Sequence, residues 1–286
     1  LGLLARDIKL SHTVFALPFA LLATFLAAGG WPGVGRLLLI VACMMTARTV
    51  AMSANRLVDA ELDKQNPRTA GRALPSGRLS RPFVLGVLLV CAALFILFAA
   101  GFWVFYGNRW PVILAPLVLL YFIGYPLTKR FTRFCHYYLG AALALAPVCA
   151  WLAIAGNVGR PAWLIAGAVL FWTAGFDILY ACQDYQVDVA GRLFSVPSRI
   201  GIPAALWVAR ATHAISASFL IVLALSTPVL RPLFPFGVAA AIALLIVEHS
   251  LVRPNDLKRL NLAFFTINGI ISLLLASLGI ADVLMH

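Results

Sequence analysis

The sequence predicts an all-α, polytopic membrane bundle of about nine transmembrane helices around a central cavity. Three observations predict it. The 286 residues are 63% hydrophobic and 11% charged, with a mean hydropathy of +0.97, far from the roughly 25% charged and 45–50% apolar usage of soluble domains. Apolar runs of about 20 residues recur, each long enough to cross a hydrocarbon core about 30 Å thick as a helix. Those runs are continuously apolar, whereas a membrane strand alternates over about ten residues.

The runs fall near residues 12–30, 36–58, 82–103, 111–127, 134–156, 161–184, 204–225, 233–250 and 262–284. The first has no small-residue cleavage signature after it and is expected to be a retained span, and the opening residue, Leu1 rather than Met, suggests a trimmed start. The second and sixth each run out into a short acidic cluster. Pro18, Pro116, Pro126, Pro147, Gly140, Gly167 and Gly175 interrupt several runs. Membrane helices tolerate such residues where neighbours satisfy the released backbone groups, so these mark kinks or close contacts. The third, seventh, eighth and ninth runs rest on length and apolarity. No low-complexity stretch or linker divides the chain, and a single domain over 1–286 is expected.

The formal net charge of +12 is distributed by topology rather than as a nucleic-acid footprint, so no nucleic-acid partner is expected. Arg6, Lys9, Arg56, Lys64, Arg68, Arg72, Arg78, Arg81, Lys129, Arg130, Arg133, Arg192, Arg199, Arg253, Lys258 and Arg259 fall at one set of helix ends. Only Arg36, Arg109, Arg160 and Arg231 fall at the other, with Arg48 and Arg210 inside helices. The positive-inside rule then places the amino terminus and both acidic clusters in the cytoplasm, and an odd helix count places the carboxyl terminus outside. A prokaryotic inner or plasma membrane is the expected location. Cys43, Cys91, Cys135, Cys149 and Cys182 show no metal-ligand spacing and read as core packing. His12, His136, His213, His249 and His286 form no local ligand pair, which argues against a zinc site.

Six of the ten acidic residues lie in the two clusters, Asn55 to Asp63 and Asp177 to Asp188. A carboxylate at the centre of a bilayer helix costs about 2.5–3.5 kcal/mol on insertion scales, so such clusters imply a watered cavity, a cation, or both. Asn55, Asp59 and Asp63 are spaced four apart, and Asp177, Tyr180, Asp184 and Asp188 follow at three, four and four, so each set shares one helix face. Aligned carboxylates repel and need counter-charge, which a hard divalent cation supplies. Mg²⁺ usually binds through one or two carboxylates together with substrate phosphate oxygens, so two opposed acid pairs suit two Mg²⁺ ions and one diphosphate. The competing reading is solvated helix-end charge. After the first cluster, Arg68 and Arg72 stand in a Pro- and Gly-punctuated loop, where a guanidinium fork suits bidentate phosphate contacts. Lys129 follows Tyr125 at the same membrane face, and Arg130 and Arg133 read as topology anchors. The recurrence of an acidic helix end followed by a basic loop is a weak internal pseudo-symmetry, with two bundle halves meeting at the cavity.

At this point a resemblance is specific. Asn55 to Asp63 with its basic loop resembles the NxxxDxxxD and RTxxRxLxSG segments of the UbiA family of intramembrane prenyltransferases. Asp177 to Asp188 resembles the family's DxxYxxxDxxxD motif, and Tyr125 to Lys129 its YxxxK motif. The stretches from Lys9 to Pro18 and from Leu193 to Gly201 look most like the branch acting on 4-hydroxybenzoate or hydroxynaphthoate acceptors. Arg56 departs from the Asp that many relatives carry there. The resemblance implies Mg²⁺-dependent transfer of a polyprenyl group from its diphosphate to an aromatic hydroxy-acid acceptor in quinone biosynthesis, within membrane lipid. It implies metal binding by Asn55, Asp59, Asp63, Asp184 and Asp188, and neutralisation of diphosphate by Arg68, Arg72 and Lys129. It leaves Asp177 and Tyr180 to orient the acceptor or leaving group, with Tyr125 and Arg199 as further substrate contacts. Arg6, Lys9, His12 and Arg48 are candidates for an acceptor carboxylate. Two rival classes are weighed. A CDP-alcohol-type phosphotransferase shares a DxxxD element but would carry a DGxxAR approach that is absent here. A cation-coupled transporter would place its acids near the midplane rather than toward one face.

Overall fold

The computed structural model describes residues 15–254, 260 and 266–286, and the described residues fold as a bundle of helices. In chain order these are α1 (Leu17–Ala28), α2 (Val34–Gln65), α3 (Arg81–Tyr106), α4 (Trp110–Gly124), α5 (Cys135–Ala155) and α6 (Arg160–Ala181). They continue with α7 (Tyr185–Ala190), α8 (Val196–Ile200), α9 (Ile202–Ser226), α10 (Phe234–Leu251) and α11 (Asn268–Met285). Among the described residues eight spans are long and apolar enough to cross a bilayer, two of them including the short turns that extend α4 and α6, and large apolar side chains such as Leu89, Val104, Leu117 and Leu225 lie exposed on them. Together these make the chain an integral membrane protein.

The expected nine spans become eight long helices and the 12-residue α1, because Gly29 adopts a left-handed conformation, φ 62°, and stops α1 before Trp31. Residues 12–14 of the first expected span lie outside the described residues. The second span is longer than expected. α2 has 32 residues, about 48 Å at 1.5 Å per residue, which exceeds the hydrocarbon thickness of about 30 Å. The sixth is shorter as an α-helix: α6 stops at Ala181, a 3₁₀ turn covers Cys182–Asp184, and α7 begins at Tyr185. Asp188 therefore belongs to a separate helix and not to one continuous acidic face.

Small residues set the closest helix contacts, as membrane packing favours. A methyl at Gly140 of α5 would run into the Leu170 carbonyl oxygen of α6, and one at Gly175 of α6 would run into the His213 ring of α9. Polar side chains fasten the far half. Trp172 Nε1 donates to Asn268 Oδ1 at 2.7 Å, and Asn268 Nδ2 donates to Glu248 Oε1 at 2.8 Å, joining α6, α11 and α10. Asp282 of α11 accepts the Leu233 and Phe234 N–H groups at 2.8 Å each, which satisfies donors at the start of α10 that the helix itself cannot.

Candidate functional site

A cavity of about 850 Å³ opens among α2, α3, α4, α5 and α6. Along α5 its lining runs from Cys135 to Ala153, a length of about 27 Å at the helical rise. Most of the shaft is apolar, with Phe95, Phe102, Val118, Phe122 and Leu143 on its walls. Its charge is gathered at one end. Asp59, Asp63, Asp177, Asp184 and Asp188 line that mouth together with Arg56, Arg68, Arg72 and Lys129, and Arg48 lines the wall further in.

The first acidic row follows from helix geometry, since the four-residue spacing brings Asn55, Asp59 and Asp63 to the cavity side of α2. Asp59 is 3% exposed. Its Oδ2 accepts from Asn55 Nδ2 at 3.1 Å and pairs with Lys129 Nζ at 2.9 Å, while Oδ1 has no hydrogen-bond partner and lies 3.7 Å from Arg130 Nη2. Arg130 also donates to the Val58 carbonyl at 2.6 Å, so it reaches the site although its sequence position reads as an anchor. Asp63 accepts from Arg72 Nη1 through both oxygens at 2.8 and 2.7 Å. Glu61 points the other way, pairing on the surface with Arg81 at 2.6 Å.

The loop after α2 crosses to the second row. Asn66 Oδ1 accepts the Arg68 N–H at 3.0 Å, an Asx turn that aims the Arg68 side chain, and Asn66 Nδ2 donates to Asp184 Oδ1 at 2.8 Å. Arg68 then grips Asp184 in a bidentate fork, Nε to Oδ1 at 2.9 Å and Nη2 to Oδ2 at 2.5 Å, and donates from Nη1 to the Tyr180 hydroxyl at 3.0 Å. Burial works to lower the Arg68 pKa, but the hydrogen bond and charge of Asp184 outweigh it, so the net shift is upward and the guanidinium stays charged. Asp188 accepts from Ser195 Oγ at 2.7 Å, and Asp177 pairs with His136 Nδ1 at 2.7 Å.

Tyr125 and Lys129 enter the cavity from a 3₁₀ turn, Tyr125–Arg130, where Thr128 Oγ1 bonds the Tyr125 carbonyl at 2.6 Å. Arg199 is not brought to the cavity: it is exposed and lies over the Phe194 ring at 3.7 Å, because α8 turns its last residues outward. Arg6, Lys9 and His12 lie outside the described residues, as do the basic anchors Lys258 and Arg259. Arg48 stands in the cavity wall two helical turns before Asn55. Asn66, Arg130, His136 and Ser195 are the site residues that sequence reasoning missed. Asn66 opens the basic loop, Arg130 follows the YxxxK segment and Ser195 lies between Leu193 and Gly201, whereas His136 lay in no patterned stretch; Asn66, Arg130 and His136 owe their places to partners distant in the chain.

Among the described residues no three His, Cys, Asp or Glu side chains converge to hold a metal unaided. The donor set nevertheless fits a hard divalent cation: it is all oxygen, faces the cavity mouth from two sides, and includes the buried, unbonded Oδ1 of Asp59. Mg²⁺ needs only one or two such carboxylates when phosphate oxygens complete its shell.

The family model described as the UbiA prenyltransferase family matches residues 16–270. The 4-hydroxybenzoate octaprenyltransferase of Vesicomyosocius okutanii is 31% identical over 169 residues, 58% of this chain and 59% of that protein. Its counterpart in Actinobacillus pleuropneumoniae serotype 5b is 32% identical over 188 residues, 65% of this chain and 62% of that protein. The chain thus spans about three fifths of the length of these curated relatives. In solved structures, the apo UbiA homolog from Aeropyrum pernix K1 superposes with a TM-score of 0.80 at 24% identity, covering 96% of this chain and 98% of that one. The UbiA homolog from Archaeoglobus fulgidus bound to DMAPP and Mg²⁺ superposes with a TM-score of 0.72 at 21% identity, covering 98% of each. These likenesses show a shared fold.

Proposed function

The chain belongs to the UbiA prenyltransferase family, and from that premise we propose that it transfers a polyprenyl group from its diphosphate to an aromatic hydroxy acid, a 4-hydroxybenzoate or a hydroxynaphthoate, in quinone biosynthesis. The names of the matching relatives and the Mg²⁺ and DMAPP bound to the archaeal homolog support this reading. The observation that carries it is the meeting of two acidic rows, tied by Arg68, at the charged mouth of a long apolar shaft. A charged head with a greasy tail fits that shape.

Asn55, Asp59, Asp63, Asp184 and Asp188 would hold Mg²⁺, two ions in all, against the diphosphate. When bound, the metal supplies positive charge to the departing diphosphate oxygens. Arg68, Arg72 and Lys129 turn from their carboxylates toward the remaining oxygens, placing fixed charge where negative charge develops. The bond between the allylic carbon and the diphosphate oxygen breaks, and its electron pair leaves with the diphosphate. A ring carbon beside the hydroxyl forms the new carbon–carbon bond with a ring π electron pair and then loses its hydrogen as a proton to the released diphosphate or to water. Phe95, Phe122 and Tyr125 keep water from the allylic cation and attract it through their ring faces. Asp177 and Tyr180 orient the acceptor, and Arg48 faces its carboxylate. The mouth opens to the cytoplasm of a prokaryotic cell, with the amino terminus inside and the carboxyl terminus outside, and one domain carries the reaction.

The test is direct. Membranes containing the protein are supplied with Mg²⁺, a labelled prenyl diphosphate and a panel of hydroxybenzoate and hydroxynaphthoate acceptors, and the products are identified by mass. A prenylated acceptor formed only with Mg²⁺ is the expected result. Cation uptake into liposomes without any prenylated product would replace this reading with a transporter.

A further inference from the structure

The carboxylates of the mouth are held in two ways. Asp59, Asp63 and Asp184 are gripped by Lys129, Arg72 and Arg68. Asp188 and Asp177 are held instead by a hydroxyl and an imidazole, and both donors are bound into one short strap, residues 194–196. Phe194 donates its N–H to the Lys129 carbonyl at 2.7 Å, and the Phe194 carbonyl accepts from Cys135 Sγ at 3.2 Å. Ser195 Oγ donates to Asp188, and the Val196 N–H meets His136 Nε2 at 3.1 Å. That last bond points to one tautomer of the ring. A backbone N–H only donates, so Nε2 accepts; the ring proton is then on Nδ1, which donates to Asp177 Oδ2 at 2.7 Å.

His136 is 2% exposed, so the ring is anchored from two sides, whereas about a quarter of the Asp177 side chain remains open, 26%, and lines the cavity. The place of the ring also has a packing cause. Gly140 lies one turn after His136 on α5 and lets α5 close onto α6 at Leu170, two turns before Asp177. We infer that His136 is a positioning residue for the acceptor end of the site: as a neutral Nδ1–H donor locked to the 194–196 strap, it fixes the Asp177 carboxylate in the orientation that receives a hydroxyl of the aromatic acceptor. The inference rests on the acceptor role given to Asp177 above and adds the residue through which that role is set.

Two variants separate the two bonds of the ring. A glutamine amide reaches the place of Nε2 and an asparagine amide the place of Nδ1, so His136→Gln keeps an acceptor for Val196 and loses the donor to Asp177, while His136→Asn does the reverse. His136→Gln should raise the acceptor KM about tenfold, the size of one lost charge-assisted hydrogen bond, with the KM for prenyl diphosphate within about twofold. His136→Asn should bring the acceptor KM back to within about threefold of the starting protein. Equal impairment of both variants, or a change that falls on the diphosphate KM, overturns the assignment. A second measurement does not need turnover. The imidazole nitrogen resonances of ¹⁵N-histidine-labelled protein, assigned by their loss in His136→Gln, should show a neutral Nδ1–H ring that shifts when 4-hydroxybenzoate or a hydroxynaphthoate is added. An Nε2–H ring, or one unmoved by every acceptor, sinks the inference even if prenyl transfer is observed. Absence of prenyl transfer with the expected ring and shift removes the proposed reaction and leaves His136 in its place.

Discussion

Asn55, Asp59 and Asp63 ride on one unbroken helix of 32 residues, whereas Asp177, Asp184 and Asp188 are spread over α6, a 3₁₀ turn and α7. The first row inherits its alignment from the helical repeat alone. The second is assembled from side chains outside it: Arg68 and Asn66 hold Asp184, Ser195 holds Asp188 and His136 holds Asp177. The proposed site for two different molecules thus has one stiff wall and one wall set by hydrogen bonds to neighbouring loops. A mid-helix 3₁₀ stretch often marks such a hinge.

Removing one acid from each wall breaks the comparison most strongly. Asp59→Asn and Asp184→Asn should each lower prenyl transfer about a hundredfold or more, as loss of one preorganised electrostatic group does, and the protein should still purify folded in detergent. Initial rates over a Mg²⁺ titration check this, and full activity in either variant would remove its wall from the site. Next in size is Lys129→Ala, which strips the cation beside Asp59. The KM for prenyl diphosphate should rise about tenfold, with the acceptor KM little changed. An effect confined to the acceptor would contradict the division of labour. A smaller effect is expected from Arg68→Gln, which unties the walls. Both partners are partly exposed, with 30% of the Arg68 side chain and 18% of the Asp184 side chain accessible, so solvent screening limits the loss to about 1 kcal/mol. Thermal unfolding in detergent should show a drop that shrinks as salt is added. Glu61→Ala is the control within the first cluster. Its side chain is 74% exposed and faces Arg81, so stability should change by less than about 0.5 kcal/mol and transfer rate not at all. A marked loss of transfer there would mean that the catalytic face of α2 had been misidentified.

The unequal walls also explain what could be read in advance. Apolar runs announce spanning helices, since nothing else satisfies a backbone in lipid, and a four-residue spacing announces a shared face. Both are local signals, and α2 obeys both. The limits of α1 and α6 are set by backbone features that hydropathy does not register, a left-handed Gly29 and a 3₁₀ turn at Cys182. Asp188 shares the mouth with Asp184 although no single helix face joins them. The pairings of Asn66 with Asp184 and His136 with Asp177 span 118 and 41 residues of chain, and no pattern within either segment encodes them. Arg199 shows the converse: its motif points to a substrate contact, but its guanidinium is stacked on Phe194 outside the cavity.

The shaft along α5 is nearly as long as the oily layer around it is thick, about 27 Å against about 30 Å. A guest moored by its ionic end would lie alongside the surrounding acyl chains and exchange one hydrocarbon neighbourhood for another. Lipid tails are as apolar as Leu, so little free energy separates a tail inside the protein from one outside. Discrimination must then reside at the polar end, and the length of any apolar tail carried behind it is left comparatively unconstrained.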